Sequence, residues 1–497
     1  MWCSRQYPVQ HAVERARRCP RRPTRSRPIS SCSLVPSEAR PWSRGSPCEN
    51  DREWNGGFDA VGGREHRGRS IPTTSAVGCP AGCRPAQAIR CGRDGAAVRG
   101  REERTVKETP LEDGAPVIGC NEPGSFARDV LVSRHPALIR QVRDAHPYTP
   151  DQLHALDVLL GEITEGVIRP LPPEAHDRAD WARWGVDEHV GRSWFDASFL
   201  WAESYFYRRL LQAVAYFGPG PWQGIDPFAP AKQAELHSRG VDEELDALDA
   251  LPGLSREDEA AALLGAALWG NRADLGFLTT AAESPRSASD LVADDTDSLW
   301  DLLSAERPGT VAVIADNAGR ELIPDLVLVD HLLRHGHART VDLHLKPHPY
   351  YVSDATTADL VAALRRLARA PGHAGEVGAR LWEAMATGRL RPSAHPFFCA
   401  PLPYPDMPDD LRRDLSGCTL TILKGDLNYR RLVGDRLWPP TTPFDRLTRY
   451  FPTPVAALRT LKSDVVTGLT AGHAAELDAT EDRWRTSGTH ALVQVRR

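Results

Sequence analysis

TVAVIADNAGRE, residues 310–321, carries five small or β-branched apolar residues, Val311 to Ala315, straight into Asp316 and Asn317. A second strand-like run, Val341 to Leu345, leads through Lys346-Pro347 to another aspartate, Asp354. In an open parallel sheet, ligands sit beyond the carboxyl ends of the strands. Two carboxylates and an amide oxygen delivered there suit a hard divalent cation such as Mg²⁺ or Mn²⁺. Asp and Asn also favour plain strand-end turns, so the spacing alone leaves both readings open.

Working outward, strands and helices alternate after Pro308-Gly309. Strands are expected at 311–315, 340–345, 397–400, 419–423, 454–458 and 492–495, and helices at 322–334, 358–368, 377–386 and 409–415. That alternation predicts an α/β fold whose mainly parallel sheet is covered on both faces. Residues 136–301 instead read as helical and without convincing strands. Thr149-Pro150-Asp151 is a helix start, and Phe195–Phe217 is a long helix with aromatics on more than one face, hence buried between layers. Arg256–Leu268 reads as an Ala-rich third helix. The expected division is a helical region over 125–301 and an α/β domain over 305–497.

Residues 1–105 stand apart. They hold 20 Arg, no Lys and ten acidic residues, which leaves the rest of the chain near −15 from a total of −5. They lack apolar periodicity, and Cys79/Cys83 has no second ligand pair for zinc. We read them as a disordered or mistranslated extension, with Glu102-Glu103 encoding a purine-rich ribosome-binding sequence ahead of a GTG start at Val106. The acidic body argues against nucleic-acid binding. Eight of ten cysteines fall before residue 121, leaving Cys399 and Cys418, the usage of a reduced cytoplasmic enzyme. No run approaches 18 apolar residues, so no membrane partner is expected.

Three further segments carry candidate chemistry. Lys424-Gly425-Asp426-Leu427-Asn428-Tyr429-Arg430 follows a strand, with two cations for a phosphate and with Asp426 and Asn428 to orient water or sugar hydroxyls; a solvated turn is the alternative. Arg459-Thr460-Leu461-Lys462 offers two cations around a hydroxyl, or a helix start with solvated charges. Glu203 and Arg208 lie among aromatics, where an unpaired charge is costly, so they either pair structurally or reach the cleft. His344 and His348 have metal-like spacing, but Pro347 and Pro349 forbid the helix that would bring them together. There is no phosphate-binding Gly-rich motif and no nucleophilic Ser elbow in the body.

Taken in order, WFDASFLWAESYFYRRL (194–210), LWGNRADL (268–275), ADNAGRELIPDL (315–326), KPHPYYVSDAT (346–356), LKGDLNYRRLVGDRLW (423–438) and Arg459–Lys462 resemble the damage-control phosphatase family, a former domain-of-unknown-function group, and within it the acidic-residue-methyltransferase-like subfamily. The resemblance implies a helical N-terminal region joined to a Rossmann-like α/β/α sandwich. It implies Asp316, Asn317 and Asp354 as metal ligands, for Mn²⁺, Co²⁺ or Ni²⁺ with Mg²⁺ a weaker activator. It assigns Glu321, Asp426 to Arg430 and Lys462 to substrate, with fructose 1-phosphate and fructose 6-phosphate among the phosphate esters. Lys424, Arg430 and Lys462 are expected to clamp phosphate oxygens. Either Glu321 or Asp426 would orient water or bind the sugar, and an aspartyl nucleophile stays open. Arg320 departs from the uncharged residue usual in animal and fungal members, at the substrate rim. The rival readings are an S-adenosylmethionine-dependent protein-glutamate carboxyl methyltransferase and a non-catalytic sugar-phosphate-binding protein.

Overall fold

Seven strands form one sheet in the order β1-β7-β6-β5-β2-β3-β4. They are β1 Leu291–Asp294, β2 Thr310–Ile314, β3 Thr340–His344, β4 Leu390–Ser393, β5 Leu420–Lys424, β6 Val455–Thr460 and β7 Ala491–Arg496. Strands β6, β5, β2, β3 and β4 are mutually parallel. β7 runs antiparallel to β6, and β1 pairs with it in parallel. The computed structural model describes residues 114–270, 291–304, 308–481 and 483–497, all within one compact unit spanning Val106–Arg497.

Successive residues of a strand face opposite ways, and here both faces are buried. Ala312 and Ile314 of β2 join a core shared with Trp181, Trp194, Tyr205 and Phe206 of the preceding helices. Val311 and Val313 join the opposite core, with Leu326, Leu364 and Leu381. This is the expected α/β/α layering. The Leu322–Arg334 helix is buried from Leu322 to Leu333 and tolerates Pro324 because its first-turn N–H groups need no helical partner. Thr149 caps the Pro150–Thr164 helix through a capping box with Gln152, as the start signal predicts.

Four expectations need correction. Strand β1 lies inside the stretch read as strandless; four residues are too few for a visible period, and pairing with the chain's last strand creates it. Pro396–Cys399 is a 3-10 turn rather than a strand, because its leading Pro cannot donate to a ladder and Phe397 and Phe398 turn into the core. Strand β4, unexpected, carries Pro392 at the sheet edge, where a missing donor is tolerated. The aromatic helix is shorter than read, Phe199–Ala213, bounded by extended Ser198 and by Ala215 at positive φ.

Candidate active site

From β2 the chain moves to β3 and β4 on one side, while β5 and β6 lie on the other. The crevice beyond the carboxyl ends of β2 and β5 is therefore a topological switch point, where α/β sheets bind ligands. Asp316 and Asn317 leave β2 there, and Gly425-Asp426 leave β5. The segment after β3 folds back across the same edge. The Lys346 amide donates to the Ala355 carbonyl at 2.9 Å, the Ala355 amide donates to the Asp316 carbonyl at 2.9 Å, and the Ala318 amide donates to the Ser353 carbonyl at 2.6 Å. An isolated bridge pairs Asn317 with Asp354. Residues 37 positions apart thus meet at one strand end.

Asp316 and Asp354 are both buried. The Asn317 amide nitrogen donates to Asp316 at 3.0 Å and to Glu321 at 2.8 Å, while its oxygen accepts from Ser353 at 2.7 Å. Lys462 stands 3.5 Å from Glu321. Burial, then the neighbouring Glu321 and Asp354 carboxylates, push the Asp316 carboxyl well above its ordinary range, against Lys462 and Lys346. Burial likewise raises Asp354, with Lys346 opposing. Lys346 is 1% exposed and its ammonium has no hydrogen-bond partner among the described residues. Buried polar groups are normally satisfied, so an orphan ammonium beside crowded carboxylates marks a place for an anion. The oxygen donors fit a hard divalent cation, and the Asn317 amide hydrogens now fill the positive role between Asp316 and Glu321. Lys346, the most informative residue here, was missed in sequence because KP before a loop looks like an ordinary surface turn.

Gly425 has φ +85, and a Cβ there would collide with the Asp316 carboxylate. Asp426 begins the Asp426–Val433 helix and is pinned by Arg459 at 2.7 Å, by the Lys462 amide at 3.1 Å and by Ser463 Oγ at 3.1 Å. Burial opposes its ionisation, but Arg459, Arg430 and the Lys462 amide outweigh this and hold it below the usual carboxylate range. Lys424 pairs with buried Asp325 at 2.9 Å and donates to the Ala267 carbonyl. Gly270, Asp316, Glu321, Lys424, Gly425 and Thr460 line a small cleft at this edge. The rest of LWGNRADL, from Asn271, lies outside the described residues.

Other candidates hold the frame. Asn428 donates to the Ala315 and Lys424 carbonyls, tying the ends of β2 and β5 together. Tyr429 bonds Thr467 and Gln494 and lies under Arg459. Leu427 packs with Leu200, Tyr350 and Cys399. Arg430 is engaged by Asp435 at 2.8 and 2.9 Å and by Glu203 at 3.1 Å. Glu203 therefore pairs with Arg430 rather than Arg208, which forms a two-pronged bond with Asp177, both prongs 2.7 Å. Arg320 bonds buried Glu244. Away from this edge, Glu259, His331 and His335 bring ligand atoms within 4.8 Å of one another. Their i, i+4 histidines were legible in the sequence and were missed.

The fold and site define a class: an α/β protein with a buried carboxylate–ammonium centre at a topological switch point. The damage-control phosphatase ARMT1-like domain matches residues 130–477. The chain belongs to that family. It is 34% identical over 430 residues to the damage-control phosphatase ARMT1 of Danio rerio, covering 75% of this chain and 94% of that protein. The Mus musculus protein of the same name is 31% identical over 431 residues, covering 76% and 97%. A crystal structure of a DUF89 family protein from Pyrococcus horikoshii is 14% identical and covers 74% of this chain and 98% of that one, at a TM-score of 0.40.

Proposed function

We propose that this chain is a metal-dependent phosphatase hydrolysing phosphomonoesters of small metabolites, with sugar phosphates such as fructose 1-phosphate and fructose 6-phosphate as the class to test. The observation that carries the reading is the unpartnered, fully buried Lys346 ammonium beside Asp316 and Asp354. Membership of a damage-control phosphatase family supports it. Asp316, Asn317 and Asp354 would hold the cation, which when bound supplies Lewis-acid stabilisation of charge on a phosphoryl oxygen. Mn²⁺, Co²⁺, Ni²⁺ and Mg²⁺ are the candidates.

The chain's own groups do the rest. Lys346 and Lys462 neutralise the remaining phosphate oxygens, a positioning and electrostatic role. The Asp426–Val433 helix begins at the same strand end, so its first-turn amides add a positive field. Asp426, kept ionised by Arg459, is suited to orient water or accept from a sugar hydroxyl. Lys424, Arg430 and Glu203 act through the frame, holding the ends of β5 and its helix in place.

The test is phosphate release by the full chain from sugar phosphates and nucleotides, across the four metals, for wild type and Asp316→Ala. Metal-stimulated turnover that falls at least about a hundredfold in the variant is expected. Turnover unchanged in Asp316→Ala would overturn the assignment. So would binding of sugar phosphates without hydrolysis under any metal.

A further inference from the structure

Outside the catalytic edge, one side-chain cluster has the composition of a metal site. His331 and His335 lie at i and i+4, on the last turn and at the end of the Leu322–Arg334 helix, so they share a face. Glu259 reaches them from the first turn of the facing Arg256–Trp269 helix. His331 Nδ1 stands 3.3 Å from one Glu259 oxygen, and His335 Nε2 stands 3.4 Å from the other. His331 is fully buried, and among the described residues its ring nitrogens and His335 Nε2 find no polar neighbour aligned to bond them apart from Glu259. One ligand atom from each of the three residues lies within 4.8 Å of the others, close enough to meet on one ion.

The surroundings separate ligands from supports. His337 Nδ1 meets the Leu303 carbonyl at 3.0 Å and its Nε2 meets Arg256 at 3.2 Å, so both its nitrogens are engaged. Arg334 pairs with Glu259, and its Nε is also 4.0 Å from Asp330, one helical turn back, whose carboxylate Arg380 engages. A cation binding at Glu259 would have to displace Arg334 from it. His331 is ten residues from Glu321, about 15 Å along the helix axis, so this cluster is separate from the Asp316 centre.

We propose that Glu259, His331 and His335 form a second metal site, for a borderline transition-metal ion of the zinc class. Two neutral imidazoles and a carboxylate favour such an ion over Mg²⁺ or Ca²⁺. Its role is structural. It clasps one end of two helices whose other ends, at Gly270 and Glu321, border the catalytic cleft.

The experiment uses the full chain, stripped of metal and titrated with Zn²⁺ against a chromophoric chelator, with a thermal melt at each end point. Co²⁺ replaces Zn²⁺ in a parallel series to record the intense visible bands of tetrahedral coordination. Asp354→Asn, which disables the catalytic centre, should keep the tight Zn²⁺ event, the rise in melting temperature and the Co²⁺ bands. Glu259→Gln, His335→Ala and the bulk-preserving His335→Gln should each weaken Zn²⁺ at least tenfold and lose the bands. Arg334→Gln should tighten Zn²⁺ several-fold by removing the competing cation, which a purely structural ion pair would not do. Retention of the event in Glu259→Gln and His335→Gln, or its loss in Asp354→Asn, overturns the proposal.

Discussion

Gly425 and Asp316 lie just past the ends of two adjacent parallel strands, and the α-carbon of Gly425 passes so close to the Asp316 carboxylate that no side chain fits between them. The same glycine holds φ +85, a conformation that other residues rarely adopt. Gly425→Ala is therefore expected to displace Asp316 and to lose phosphate release on the order of a hundredfold. The backbone strain adds a stability loss of roughly 1–3 kcal/mol. A variant with normal kcat would show that Asp316 is not held by this contact.

Lys346→Met keeps the stem and removes the unpartnered ammonium. An uncompensated buried charge is expensive, so folding should survive the change. The loss should appear in catalysis instead, as a fall in kcat/KM of about 10²–10³. Paired urea melts and phosphate-release assays check this. Full activity in the variant would leave the substrate anion without the partner assigned to it.

The Arg208–Asp177 pair is expected to serve stability alone. Its guanidinium is buried and both prongs are engaged, and removal of one partner of such a pair costs roughly 3–5 kcal/mol. Asp177→Asn should lower the melting temperature while leaving KM for sugar phosphates unchanged. A raised KM in folded enzyme would return Arg208 to the substrate.

Burial, with Arg134 adding, lowers His135 to about 3, and its ring stacks on Phe206 at 3.6 Å between centroids. The unfolded chain takes up this proton near pH 6.5 and the folded chain does not until about pH 3. Stability from this group is thus complete above about pH 6.5 and declines as pH falls through that window. Between pH 7.5 and 5 the loss is about 2 kcal/mol. Burial lowers His344 and His348 to about 4, so they act in the same direction. Carboxyls raised by burial, such as Asp325 at about 6, act oppositely, so the discriminating measurement is a difference. His135→Phe should lose about 2 kcal/mol less than wild type between those pH values in urea unfolding. Parallel pH profiles for the two proteins would refute the assignment.

Much of the fold was legible in local chemistry. β2 and the Leu322–Arg334 helix are strongly apolar segments of the right length, bounded by Pro308-Gly309 and Gly336, and their type follows from composition and period. Strands β1 and β4 were not legible. Each is four residues long and owes its extended form to a partner strand distant in the chain.

For the site, residue types and strand ends sufficed to nominate Asp316, Asn317, Asp354, Asp426 and Lys462. Side-chain charge alone could not say which cations are engaged by the protein itself. Arg430 and Arg208 look as available in sequence as Lys346 does, yet Asp435, Glu203 and Asp177 take up the first two. Lys346 is left buried and, among the described residues, without a hydrogen-bond partner. Strand and helix identity depend on neighbours a few residues away, which the chain writes directly. The pairing of a buried charge depends on which distant segment packs against it, and that only the tertiary structure decided.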